Sequence, residues 1–332
     1  MRKNELTWKG SVVSIGLLFL LISGCNKDEN LALPTIGTPQ IFSLSSNAIT
    51  IKCAIPSGDA TEFIAQGVCW STSPNPTVNS SKANGDFNNG IMYCRIEDLV
   101  PNTQYYARVF ATNRAGTSYG LSIPFTTNGT ISDIDGNIYN TVTIGSQVWL
   151  VENLKATKLN DGTQIEFIDE NSTWDNIASP SFCFYDNSFL NKNFYGALYN
   201  LPAVTSGKLC PTGWHVPSEA EWAALIEYLG GEFVAATLLK DVGASWEYSN
   251  DKATNYSGFS ALPSGASGGV LGTFSGMGTK GSWWSSTIDN TSYGDSPWSL
   301  YWEILDNNVV QRGSSKAEFG GKIFLSVRCI KN

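Results

Sequence analysis

The sequence predicts a β-sandwich followed by an α+β domain, and three observations carry that prediction. Glycine (32), tryptophan (11) and tyrosine (13) are abundant while methionine (3) and histidine (1) are scarce, a mixture suited to short strands and turns. Between residues 36 and 127 apolar side chains recur with period two, the signature of half-buried strands. Further on, a single helical stripe with start and stop signals stands among strands and glycine loops. At 332 residues the chain exceeds one domain of about 100–200 residues. Its 42% hydrophobic and 15% charged composition can bury a core. A net charge of −8 without any Lys/Arg-rich run lacks the electrostatic footprint of nucleic-acid binding. One histidine leaves little room for His-based metal sites or Ser–His–Asp catalysis.

The first element is an address. Arg2, Lys3 and Lys9 precede an apolar run over residues 12–22, which is shorter than the ~20 residues a membrane-spanning helix needs. It fits the apolar region of a secretory signal. The run ends in Leu21-Ile22-Ser23-Gly24-Cys25, which resembles a bacterial lipoprotein lipobox, with Cys25 as the lipid attachment site. Lys27, Asp28 and Glu29 resemble the surface-export signal of Bacteroidota lipoproteins. The expected location is therefore the outer membrane, lipid-anchored and facing the cell exterior. Residues 1–24 carry three cations and one acid, so the mature chain is near −10 and acyl chains serve as the anchor. Residues 25–35 read as a polar tether, with Pro34 near its end.

Residues 36–127 read as the sandwich. Ile49, Ile51, Cys53 and Ile55 alternate with polar or small residues, and Met92, Cys94 and Ile96 repeat the period. Pro74, Pro76, Asn84-Gly85 and Asn88-Asn89-Gly90 supply turns. The run Leu99-Val100-Pro101-Asn102-Thr103-Gln104-Tyr105 resembles the tyrosine corner of fibronectin type III domains. That resemblance implies a buried Tyr105 ring, a hydroxyl bonded to nearby backbone, and a spacer role.

Asn128-Gly129 marks a boundary, and residues 130–332 form the second domain. Asp133-Ile134-Asp135-Gly136-Asn137 reads as a hairpin turn. A calcium loop is the other reading, but an EF-hand loop needs glycine sixth and glutamate twelfth, whereas glycine is fourth here and Ile144 twelfth. Ser218 with Glu221 forms a capping box, and Trp222, Leu225, Ile226 and Leu229 make one helical stripe that Gly230-Gly231 ends. A second, shorter helix is expected over residues 233–240. Six segments resemble the Fibrobacter succinogenes major paralogous domain in order: residues 133–154, Tyr195-Gly196-Ala197-Leu198-Tyr199-Asn200, residues 210–222, Gly258-Phe259-Ser260-Ala261-Leu262-Pro263, Trp284-Ser285-Ser286-Thr287 and Ser326-Val327-Arg328-Cys329. The helix-leading run over residues 213–222 also looks like C-type-lectin-like folds, which implies helices packed on a small mixed sheet with loops displayed for binding.

The family resemblance and the lectin-like topology imply a Cys210–Cys329 disulfide. Cys53 and Cys94 read as free core thiols, and Cys69 and Cys183 have no obvious partner. Aromatic neighbours make Cys183 a poor nucleophile, His215 reads as structural, and Glu221 is used by the capping box, so no catalytic constellation is expected. Nor is a cofactor or a metal ion. The second domain holds nine of the eleven tryptophans. Alternation places Trp298, Leu300, Trp302 and Ile304 in the core and leaves Tyr301 exposed beside Ser299 and Glu303. One of Trp283 and Trp284 is expected to be exposed as well. Trp283, Trp284 and Tyr301 are thus the candidate ligand-binding residues. Together the resemblances imply a surface lipoprotein presenting a lectin-like binding or adhesion module, with a glycan or surface protein as ligand. A structural component of the envelope or an appendage, and a glycan-degrading enzyme, are the alternatives.

Overall fold

The computed structural model describes residues 32–55, 63–88, 90–169, 172, 174, 177–243, 245–247, 250–268, 272–290, 298–316 and 322–332. Cys25, Lys27, Asp28 and Glu29 lie outside the described residues. The sandwich is built from β1 (Gln40–Ser45), β2 (Ile49–Ala54), β3 (Ala65–Ser71), β4 (Ser81–Asn84), β5 (Asp86–Asn88), β6 (Ile91–Ile96), β7 (Gln104–Asn113) and β8 (Gly116–Thr126). One sheet runs β4-β3-β7-β8, and the facing strands run β1-β2-β6-β5. Ile49, Ile51, Cys53, Met92, Cys94 and Ile96 meet Val68, Ala107 and Val109 between them, as the period-two pattern requires. The thiols of Cys53, Cys69, Cys94 and Cys183 are free and buried.

Local chemistry explains the sandwich's turns. Tyr105 Oη accepts the Val100 N–H at 3.2 Å while its ring stacks on Phe125, so the corner's hydrogen bond forms as its sequence implies, whereas the ring is half-buried rather than buried. Asn113 Oδ1 accepts the N–H groups of Ala115 and Gly116 and closes the β7–β8 hairpin. Gly85 carries the chain from one sheet to the other. A Cβ there would lie 2.4 Å from the Met92 side chain, so the crossing requires glycine.

The second half opens with β9 (Thr130–Ser132), β10 (Ile138–Ile144), β11 (Gln147–Leu150), β12 (Glu166–Phe167) and β13 (Ser181–Cys183). Then come α1 (Phe189–Tyr195), β14 (Leu198–Tyr199), α2 (Leu201–Thr205), β15 (Trp214–His215), α3 (Glu219–Tyr228) and α4 (Glu232–Leu239). Strands β16 (Ser264–Gly268), β17 (Thr273–Met277), β18 (Lys280–Asp289), β19 (Trp298–Leu305), β20 (Val310–Lys316), β21 (Ile323–Ser326) and β22 (Ile330–Lys331) complete it. Its main sheet runs β12-β13-β14-β21-β16-β18-β19-β20, with β17 on β16. Both halves of the capping box are formed at α3, and its stripe of Trp222, Leu225, Ile226 and Leu229 is buried. Helices α1 and α2 are additions to the expected set; α2 is capped by Asn200, whose side chain accepts the Ala203 N–H.

The two halves share a sheet. Strand β1 pairs antiparallel with β10, Ser43 opposite Ile144 and Ser45 opposite Val142, which gives the order β15-β22-β11-β10-β1-β2-β6-β5. Phe42, Tyr93 and Tyr228 pack against one another, Tyr93 stacks on Tyr256, and Tyr256 donates its phenol proton to Asp86. Leu33–Asn332 is accordingly one compact unit.

Candidate functional site

Strand β18 is central, with β16 on one side and β19 on the other, and both its faces are covered. Trp283 packs against Trp222 and Phe259 and donates its indole N–H to Asn153 Oδ1 at 2.8 Å. On the opposite face Trp284 donates to the Tyr199 carbonyl at 2.6 Å and meets Tyr301 edge-on. Both indoles are fully buried, which corrects the expectation that one of them is exposed. Alternation separated them correctly, but each face has its own core, so neither ring is available to a ligand. Leu300, Trp302 and Ile304 are buried as expected, whereas Trp298 is half-buried.

Tyr301 is the member of the expected platform that reaches open space. It is half-buried rather than exposed, because residues of the β16–β17 hairpin face Tyr301 and Glu303 on that side of the strand; Ser299 is buried too, between β18 and β20. A pocket of about 250 Å³ remains there, between Tyr301, Ser267, Thr273, Ser275, Lys280 and Glu303, with Ile323 and Leu325 as apolar wall. The Tyr301 ring lies over Gly313 on the neighbouring strand. A Cβ at that position would sit 2.2 Å from the ring, so glycine there lets the ring lie down.

The polar groups of the pocket are fixed. Glu303 accepts from Lys280 at 3.0 Å, Ser282 at 3.2 Å and Gln311 at 3.0 Å. Burial, reinforced by Glu303, pushes the Tyr301 phenol above its ordinary pKa, so it stays a neutral donor. Ser267 Oγ is buried without a protein partner, an unmet hydrogen-bonding demand on the pocket wall. The sequence signal for Lys280 and Glu303 is two opposite charges inside strand-like runs, and the nearly buried Glu303 is the one whose charge calls for a partner.

Other candidates resolve into structure. Asp133 Oδ1 accepts the N–H groups of Asp135 and Asn137, its Oδ2 accepts from Asn137 Nδ2 and Tyr139 Oη, and Asp135 holds Thr157 and Lys158. The aspartates therefore brace a hairpin turn between β9 and β10. His215 bridges Glu221 at 2.9 Å and Asn332 at 2.7 Å, and Glu221 also accepts from Ser218, so the histidine extends the helix cap. Burial pushes the Cys183 thiol up, the wrong direction for a nucleophile. Cys210 and Cys329 form a disulfide with Cα atoms 6.0 Å apart.

A family model described as the Fibrobacter succinogenes major domain matches residues 142–331. No curated protein matches the chain. Among solved structures it is similar to the fibronectin type-III domain of human fibronectin type III domain containing protein 3, at 16% identity and a TM-score of 0.22, over 31% of this chain and 93% of that one. It is also similar to the FN1–FN3 domains of chicken CNTN1, at 18% identity and a TM-score of 0.23, over 30% of this chain and 35% of that one. The twitchin kinase region of C. elegans matches at 12% identity and a TM-score of 0.23, over 60% of this chain and 35% of that one.

Proposed function

This chain belongs to the Fibrobacter succinogenes major domain family, and from that premise we propose that it is a surface module of the adhesion type, lipid-anchored through Cys25, that binds glycan in the Tyr301 pocket. The observation that carries the binding assignment is the pocket's mixture of groups. An aromatic ring and two aliphatic side chains suit the C–H face of a sugar. The Thr273 and Ser275 hydroxyls and the Lys280–Glu303 pair suit its hydroxyls. The pair leaves the pocket neutral, so the sugar is neutral too. Binding proceeds without covalent chemistry. The helix-leading Trp214-His215 run and the disulfide support a C-type-lectin-like reading of the second half. The sandwich supports a presenting role resembling that of fibronectin type III domains, and the lipobox and Lys27-Asp28-Glu29 support anchoring and export to the cell exterior.

A glycan array probed with residues 30–332 tests the binding reading. Neutral saccharides are expected to be retained, and Tyr301→Ala should weaken them by about 1–3 kcal/mol, the scale of one lost stacking contact. Gly313→Val, whose side chain would drive into the ring, should weaken them similarly. Full retention in both variants refutes the site. For the anchor, Cys25→Ala should lose labelled palmitate, and alanine at Lys27, Asp28 and Glu29 should protect the protein from protease added to intact cells.

A further inference from the structure

We propose that the cleft where the sandwich joins the second half is a second, separate binding site, for a carboxylate-bearing sugar. The cleft encloses about 450 Å³ and is larger than the Tyr301 pocket. That volume is within the ~300–1,000 Å³ of small-molecule sites. Asn128, Thr141, Thr143, Thr212, Trp214 and Lys331 line it.

The hydrogen bonds on its wall fix what each polar group can still offer. Asn128 Nδ2 donates to the Leu44 carbonyl at 3.0 Å and to Thr143 Oγ1 at 3.1 Å. Both amide protons are then used, and Asn128 Oδ1 is left as an acceptor. Thr141 Oγ1 spends its proton on the Gly129 carbonyl at 2.9 Å, so its lone pairs remain. Thr143 Oγ1 accepts from Asn128 and keeps its own proton. The wall therefore offers acceptors at Thr141 and Asn128 and a donor at Thr143. A sugar's hydroxyls each donate and accept, and adjacent ones can answer such a set. Trp214 is nearly buried and serves as apolar wall rather than as a stacking face.

Charge selects the class of sugar. Among the described residues Lys331 is exposed and makes no ion pair, and none of those lining the cleft is a carboxylate. The Tyr301 pocket is different, because Glu303 neutralises its lysine. An exposed lysine on the lining of a cleft with oriented hydroxyls fits a sugar carboxylate.

The site is preorganised. Ser46 Oγ donates to the Gly129 carbonyl at 2.7 Å, the Asn128 N–H donates to the Ser45 carbonyl, and the Asn332 N–H holds the Gly213 carbonyl. The Cys210–Cys329 disulfide lies two residues from both Thr212 and Lys331 and ties their segments together. Binding here needs little ordering of the protein.

Titration calorimetry of the full chain in detergent tests the proposal, with tetragalacturonate and its methyl ester as probes. The ester has the same hydroxyls and no charge. The acid should bind at least about tenfold more tightly, since one charge-assisted contact is worth about that factor. Lys331→Gln should remove this difference by weakening the acid alone, and Thr143→Val should weaken both probes while Thr143→Ser restores them. Tyr301→Ala should leave the acid's affinity unchanged, which separates this site from the neutral-glycan pocket. Equal binding of acid and ester, an inert Lys331→Gln, loss of the acid in Tyr301→Ala, no heat with either probe at millimolar concentration, or tighter binding of a glutamate-rich peptide than of the acid would each overturn it.

Discussion

Arg328 is a wholly buried cation whose partners all come from other segments of the chain. Its guanidinium donates to Asn153 Oδ1 at 3.0 and 3.2 Å and to the carbonyls of Leu150 and Phe259, and it lies 4.2 Å over the Phe259 ring. Asn153 Oδ1 also takes the Trp283 indole proton. Three of the family-like segments, together with Trp283 just ahead of a fourth, thus meet at one hub, so the identities of these residues are explained by folding rather than by ligand contact. Asn153→Ala would orphan buried donors on both partners. It should cost about 3 kcal/mol, read as a lower urea midpoint with an unchanged slope. Trp302→Ala should cost about 3–5 kcal/mol by the same measurement, as a large core truncation. Trp283→Ala should behave likewise and not as a surface change.

At the scale of elements, the start of α3 carries its own pH dependence. Burial alone would raise the Glu221 pKa, but bonds from the Ser218 N–H and hydroxyl and from His215 outweigh it and hold it below the ordinary carboxylate value. A depressed folded pKa contributes stability that is complete above the unfolded value, about 4.3, and is lost as pH falls through the folded one. Thermal melts taken downward from pH 5 should therefore steepen, and Glu221→Gln should flatten that part of the profile. This cap was legible because all its determinants lie within a few residues: Ser218, Glu221, the stripe and Gly230-Gly231. Helices α1 and α2 were not, because each is too short to display a period, and α1 leaves Phe189, Leu190 and Phe194 exposed. The candidate site was legible at Tyr301 through strand alternation. It was not legible at Ser267 or Ser275, because sequence does not reveal that the β16–β17 hairpin folds across that face.

At the scale of the whole molecule, the strand pattern separates two modules but says nothing about the β1–β10 ladder, since pairing between distant strands depends on tertiary placement. A boundary drawn at Asn128-Gly129 cuts through hydrogen bonds, because both residues are bonded to β1 or its turn. Residues 33–332 should consequently melt in one calorimetric transition. Alanine at both Tyr93 and Tyr256 removes the stacked pair and the bond to Asp86, and should divide that transition in two. The disulfide closes a separation of 119 residues, and on the chain-entropy model its loss removes about 4–5 kcal/mol. Paired Cys210→Ala and Cys329→Ala should lower the denaturation midpoint accordingly.

The shared ladder also decides how a pull travels. Tension applied at Leu33 and resisted by the second half enters β1 at Gln40 and passes directly into β10 through Ser43, Leu44 and Ser45. Strand β2 shares the load through its pairing with β1 and the Gly37 N–H bond to the Ala54 carbonyl, while β3 to β8 lie off that line, as a loop whose neck is fastened where Ser46 Oγ meets the Gly129 carbonyl. The pair is antiparallel, so the loaded start of β1 lies beside the Ile144 end of β10, and the ladder's bonds hold β1 to the second half until they fail. Strands β3 to β8 are thereby shielded from force until those bonds fail, and only then does their length become slack that can be paid out.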